Sequence, residues 1–207
     1  TQLAALATTQ LGALSTTNVT ALSTTQLSGL TSTQVGGLSA TNLSALDATQ
    51  MGSLSATQVK GLTATQLRSL NETDFGELTT TQIGALTSTQ IGAISATNLS
   101  AMDETKTAAL TQTQLAGLTA TQMRGLTETD VGELSQTQIG QLSATQVSNL
   151  ATTSLSALDE TQVGQLSTTQ LKGLTATQLR GLNETDIGEL SETQIGALTS
   201  TQLGALT

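Results

Sequence analysis

An apolar residue returns at every eighth position along the whole chain, and that period constrains the fold more than any other feature. The column runs Leu6, Leu14, Leu22, Leu30, Leu38, Leu46 and onward to Leu206, with Ile94 and Met102 as stand-ins. A second apolar column lies three residues before it, from Leu3, Leu11 and Val19 through Phe75 and Ile83 to Leu203, broken once by Thr107. Counted in slots, a typical octad has Ser, Thr, Asp or Asn first and a variable second residue. Threonine is third, Gln, Asn or Asp fourth, the apolar residue fifth, two mostly small residues follow, and leucine is eighth. The third slot is threonine in every octad, from Thr1, Thr9 and Thr17 to Thr201. The 207 residues amount to 26 octads less one residue, cut inside the motif at both ends. Residues 1–207 therefore read as a single octapeptide array, and the lack of a distinct capping repeat suggests part of a longer one.

A continuous α-helix advances about 100° per residue, so an eight-residue step rotates its apolar stripe by about 80° each time and no partner surface could follow it. The step matches neither the heptad nor the eleven-residue repeat of supercoiled helices. Each octad nevertheless carries a complete local signal for starting a helix. In Leu22-Ser-Thr-Thr-Gln-Leu27, Ser23 stands at the N-cap and Gln26 at the third helical position, from which it reaches back to the cap amide. Leu22 and Leu27 occupy the two staple positions. Asp47, Asp103 and Asp159, and Asn71 and Asn183, are equally good caps. A start signal every eight residues predicts helices of about one and a half turns, each restarted in a new direction. The small pairs Gly12-Ala13, Gly36-Gly37 and Gly84-Ala85 ease the exit from each helix and let backbones approach closely.

The expected fold is thus all-α, a solenoid or superhelix of short capped helices, one per octad, with both apolar columns inside and Ser, Thr and Gln outside. The alternative is a β-solenoid, because threonines two apart suit strands. Parity opposes it: Leu22 and Leu27 are five apart and Leu27 and Leu30 three, so within one strand the two columns would face opposite sides. A single octad cannot fold alone. Burying two aliphatic side chains falls well short of the entropy of ordering eight residues, so stacking of neighbours must supply the rest.

A slower period of 56 residues, seven octads, lies on top. Arg68, Arg124 and Arg180 obey it, as do Glu72, Glu128 and Glu184; Asp74, Asp130 and Asp186; Glu77, Glu133 and Glu189; and Asp47, Asp103 and Asp159. Duplication of a seven-octad block accounts for this without function. The alternative is that charged octads mark one azimuth of a superhelix and pair between neighbouring chains.

Chemistry is constrained by what is missing. There is no His, Cys, Trp, Tyr or Pro, and only 10% of residues are charged. Disulfides, thiolate nucleophiles, zinc fingers and imidazole bases are excluded. With no base beside any Ser, nucleophilic catalysis has no support, and no Gly-rich phosphate loop is present. We expect no enzyme, no catalytic, cofactor-binding or metal residues and no cofactor. A net charge of −9 disfavours nucleic acid as a partner, and no apolar run is long enough to insert into a membrane. Glu72, Asp74 and Glu77 suggest acid/base chemistry or calcium bridging between chains. The plainer account places Glu72 and Asp74 in a first helical turn, where they complement the dipole, with Arg68 near enough to pair. Asn18, Asn42, Asn71, Asn98 and Asn183 begin glycosylation-type triplets, a by-product of a Thr/Ser-rich octad. The threonine column is expected to serve cap geometry; its other reading is a regular hydroxyl face that orders water, as ice-binding proteins do. Two octads break the rule at the fourth slot. One has Lys106 and Thr107 in slots four and five, and the other has Ala151 and Ser154 in place of cap and amide.

The string Leu78-Thr-Thr-Thr-Gln-Ile-Gly-Ala-Leu86 resembles the octapeptide arrays of very large bacterial surface and adhesin-like proteins, and the likeness covers essentially the whole chain. The resemblance implies an exported, repetitive, structural or adhesive role. From the repeat architecture we expect an extracellular rod or self-assembling filament on a bacterial surface, with copies of the chain joined head to tail or side by side. An adhesin stalk is the alternative, and no catalytic residues carry over.

Overall fold

A computed structural model describes residues 2–206. Among them the chain forms 25 α-helices of four to six residues, after one 3-10 turn at Gln2–Ala5, and no strand. The all-α solenoid of short helices is the observed fold, and the β-solenoid alternative falls. The chain divides into two compact units, one ending at Gln114 and the other beginning at Leu115; each is built in the same way.

The octad explains each helix. Ser23 lies in extended geometry (φ −71°, ψ 159°) before the helix Thr24–Ser28 and accepts the Gln26 amide, while Gln26 Oε1 accepts the Ser23 amide at 2.8 Å. The reciprocal pair recurs in nearly every octad whose fourth residue is Gln. At the other end the leucine amide closes onto the fifth-slot carbonyl, as from Leu62 to Val59 at 3.1 Å. Where the helix runs one residue longer, that leucine is itself extended, as at Leu70 (φ −62°, ψ 136°). The next cap is extended too, at Asn71 (ψ 176°), and the chain leaves in a new direction. No described residue has positive φ, so the small residues do not end the helices through left-handed geometry.

Glycine serves close approach instead. A Cβ added at Gly61 would run into the backbone of Ser32, and one at Gly36 into the carbonyl of Gly61. Within each unit most helices pack on the one three octads further along, as Ala144–Ser148 does on Thr168–Gly173. Side-chain bonds reach four octads back. The step from a fourth-slot amide to the eighth-slot carbonyl is 28 residues, three and a half octads, as from Gln58 to Leu30 and from Gln178 to Leu150, so one coil takes between three and four octads. Within each unit both apolar columns fill the interior: Leu27, Val35, Val59, Leu67, Leu115 and Met123 are fully buried, and Phe75 is the largest core side chain.

Candidate functional site

The fourth-slot amide is the chemical centre of the repeat, and it lies inside rather than outside. Gln58, Gln66, Gln82 and Gln178 are 2–3% exposed. Outward placement of Gln is thus corrected, and the reason is hydrogen bonding. Gln66 Oε1 accepts the Thr63 amide at 2.8 Å and the Thr63 hydroxyl at 3.0 Å. Its Nε2 donates to Val35 and Leu38 carbonyls on the preceding coil, both at 2.9 Å. The four bonds use both lone pairs and both N–H groups of the side chain, so a buried amide carries no unmet polar atom. The same arrangement links Gln82 to Met51 and Leu54, and Gln170 to Ile139 and Leu142. One amide thereby caps its own helix and ties it to two helix-end carbonyls of the preceding coil, the fifth-slot one of which also accepts its own octad's leucine amide.

Shorter fourth-slot residues keep part of this. Asn42 and Asn98 donate only to the carbonyl 28 residues earlier, Leu14 at 2.9 Å and Leu70 at 2.7 Å, and Ser154 does the same to Leu126 at 2.7 Å. These bonds bury Asn42 and Asn98 and commit the side chains that the glycosylation-type triplets would need; Asn71 and Asn183 act as caps. Lys106 reaches the Gly76 carbonyl at 2.6 Å, so that irregular octad still bridges two coils. Ala151 makes no side-chain cap bond.

The threonine column does not serve the caps. Every described third-slot threonine, from Thr9 to Thr201, is exposed, and cap bonds come from the first slot, two residues earlier. The third-slot hydroxyls make no hydrogen bond to the protein among the described residues. A groove of about 790 Å³ in the first unit is lined by Thr16, Thr17, Thr20, Thr41, Ser44 and Ser69 among others. A smaller one of about 240 Å³ in the second unit is lined by Glu128, Thr152, Thr153, Ser156, Ala157 and Gly181. Thr41 and Ser44 correspond to Thr153 and Ser156 two 56-residue periods on, so both grooves occupy one place in the slower repeat.

The acidic residues separate by environment. Asp74 and Asp186 are buried in the fourth slot and accept the cap amides of Asn71 and Asn183. Lacking an N–H, each instead takes a proton donor from the preceding coil, the hydroxyl of Ser44 or Ser156. Glu72 is exposed and apart from them. Arg68 is exposed and pairs with neither Glu72 nor Asp74, which overturns the expected ion pair. Glu77 and Glu189 each keep a buried Oε2 without a hydrogen-bond partner. Burial, then Asp74 and Asp47, push Glu77 above the ordinary glutamate value of 4.5. Burial, then Asp186, Glu160 and Asp159, do the same to Glu189. Among the described residues no three carboxylates are arranged to hold a metal ion, and no helix is long and apolar enough to cross a membrane.

No curated protein matches the chain. Residues 3–40 match the ALTTAQ repeat family, and the cap, threonine, amide and aliphatic slots found there are those of an octapeptide-repeat array.

Proposed function

We propose that the chain is a non-enzymatic structural protein that forms a rod or self-assembling filament outside the cell, on a bacterial surface. The observation that carries this reading is the amide ladder. Each coil offers fourth-slot N–H donors on one side and helix-end carbonyls on the other, so coils stack with a single polarity. Contacts between copies that reuse this chemistry are head to tail; charged outer residues offer a second, side-by-side route. The absence of His and Cys and the engagement of the fourth-slot amides in packing support a mechanical role over a catalytic one.

Negative-stain microscopy of the purified chain over a range of concentrations tests the proposal, with sedimentation alongside. Fibres of uniform width that grow with concentration are expected. A monodisperse monomer at every concentration would remove filament formation from the account. The exposed, unbonded threonine hydroxyls favour a second reading, an adhesin stalk or ice-binding module that uses the threonine column. Thermal hysteresis of the solution, lost on replacing a run of third-slot threonines by valine, distinguishes the ice-binding form of it.

A further inference from the structure

Glu77 and Glu189 are the two side chains that leave a buried oxygen without a partner among the described residues. They stand 112 residues apart, two 56-residue periods, and occupy the same slot in separate units. Each stands in the seventh slot, and 30 residues earlier on the preceding coil an aspartate caps a helix: Asp47 before Ala48–Gly52 and Asp159 before Glu160–Gly164. Each also lies three residues after a buried aspartate of its own octad, Asp74 or Asp186. In the second unit Asp186 and Glu189 line an otherwise aliphatic cavity of about 20 Å³, walled by Leu155, Leu158, Leu190 and neighbouring side chains. The rest of each glutamate is only half-buried, but a buried oxygen with no donor is costly to keep ionised.

We propose that Glu77 and Glu189 are acid-operated latches between successive coils. At neutral pH each glutamate keeps one buried oxygen without a donor, near the buried aspartate of its own octad. On acidification the glutamate takes a proton, its O–H supplies the donor that the cluster lacks, and a neighbouring aspartate accepts it. The charged groups acting on Glu77 are Asp74 from its own helix and Asp47 from the coil before; from the coil after, the Lys106 ammonium is held on the Gly76 carbonyl. Those acting on Glu189 are Asp186, Glu160 and Asp159. A carboxyl held above its ordinary value destabilises the folded chain when ionised, and that penalty disappears as pH falls through the raised value toward 4.5. The coil contact therefore tightens between neutral and mildly acidic pH, the reverse of a chain whose carboxylates are paired. This device does not depend on filament formation.

Thermal melting followed by circular dichroism between pH 7 and pH 5 tests it, with three chains: the parent, the E77Q/E189Q variant and an E72Q/E184Q control. The control loses the same charge from exposed sites five residues earlier in the same octads. The parent midpoint is expected to rise on acidification. The E77Q/E189Q chain should begin about 2–4 °C higher at pH 7 and rise less, while the control follows the parent's slope. A parallel pH dependence in the parent and E77Q/E189Q, or equal flattening in the control, overturns the proposal. Carbon-detected titration of the glutamate carboxyls in the parent gives a second measurement that needs no variant. At least two must titrate above the rest, and a uniform midpoint near 4.5 for all of them sinks it.

Discussion

At the residue scale, the glutamine of the fourth slot has two jobs that act on different structures, one on its own helix and one on the coil before. Replacing Gln66 by Leu keeps the volume and removes both. It strands the Thr63 amide and the Leu38 carbonyl and costs the Val35 carbonyl its second donor, and a loss of about 2–3 kcal/mol is expected by urea denaturation. Replacing it by Glu keeps the acceptor for the cap but sets a carboxylate against two carbonyls, so Q66E should be the worse of the two at pH 7. Recovery of Q66E on acidification, with no such recovery for Q66L, would identify the carboxylate as the cause. The slots filled by Asp are natural versions of this problem, solved by the Ser44 and Ser156 hydroxyls. Ser44→Ala should accordingly destabilise the chain although a serine hydroxyl at a half-buried site is ordinarily dispensable.

At the element scale, helices of four to six residues are far below the length that is stable in isolation. What holds them is a cap at one end and a neighbouring coil along the side. Glycine shows how tight the second contact is. Gly61 faces the Ser32 backbone, whereas Gly52 has open space where a Cβ would stand. Gly61→Ala should lower the melting midpoint because two backbones must part. Gly52→Ala should raise stability by about 0.5–1 kcal/mol, because alanine restricts the unfolded chain and favours helix. If both substitutions stabilise alike, close approach of coils is not what the seventh-slot glycine provides. Ser55→Ala removes the hydroxyl that accepts from Gln58, at an expected cost of about 1 kcal/mol. Ala151, with no cap bond, is the standing example that one coil tolerates such a loss.

At the scale of the whole molecule, the 56-residue period of the charges acquires a geometric meaning. Within each unit the step from a fourth-slot amide to the eighth-slot carbonyl is 28 residues, so the 56-residue period is two such steps. Arg124 and Arg180, or Asp47 and Asp103, are therefore two steps of the ladder apart within their own unit. Whole octads, by contrast, are interchangeable with respect to the ladder. Deleting residues 55–62 should preserve helical content per residue, because each remaining amide still meets a fifth- and an eighth-slot carbonyl. Deleting residues 55–58 shifts the register by half an octad and should melt about one coil, visible as lost ellipticity at 222 nm. Equal tolerance of the two deletions would mean that the ladder does not set the register.

The octad itself specified the helices: Ser23, Gln26 and the flanking leucines are all local in sequence, and local hydrogen bonds follow from local spacing. The two aliphatic columns specified the core for the same reason, since five-and-three spacing places both on one side of a short restarted helix. What Gln66 does with its N–H groups was not legible, because its partners lie 31 and 28 residues away and any aliphatic octad looks like an equal candidate. Nor was the inward position of the glutamines, which a hydropathy pattern assigns to the surface, or the separation of Arg68 from Asp74, which adjacency in sequence suggests should pair. Those features depend on the number of octads in a coil. That number comes from the angle at which each helix leaves the last and from how closely glycines such as Gly61 let the coils meet, quantities that exist only once the chain has closed on itself.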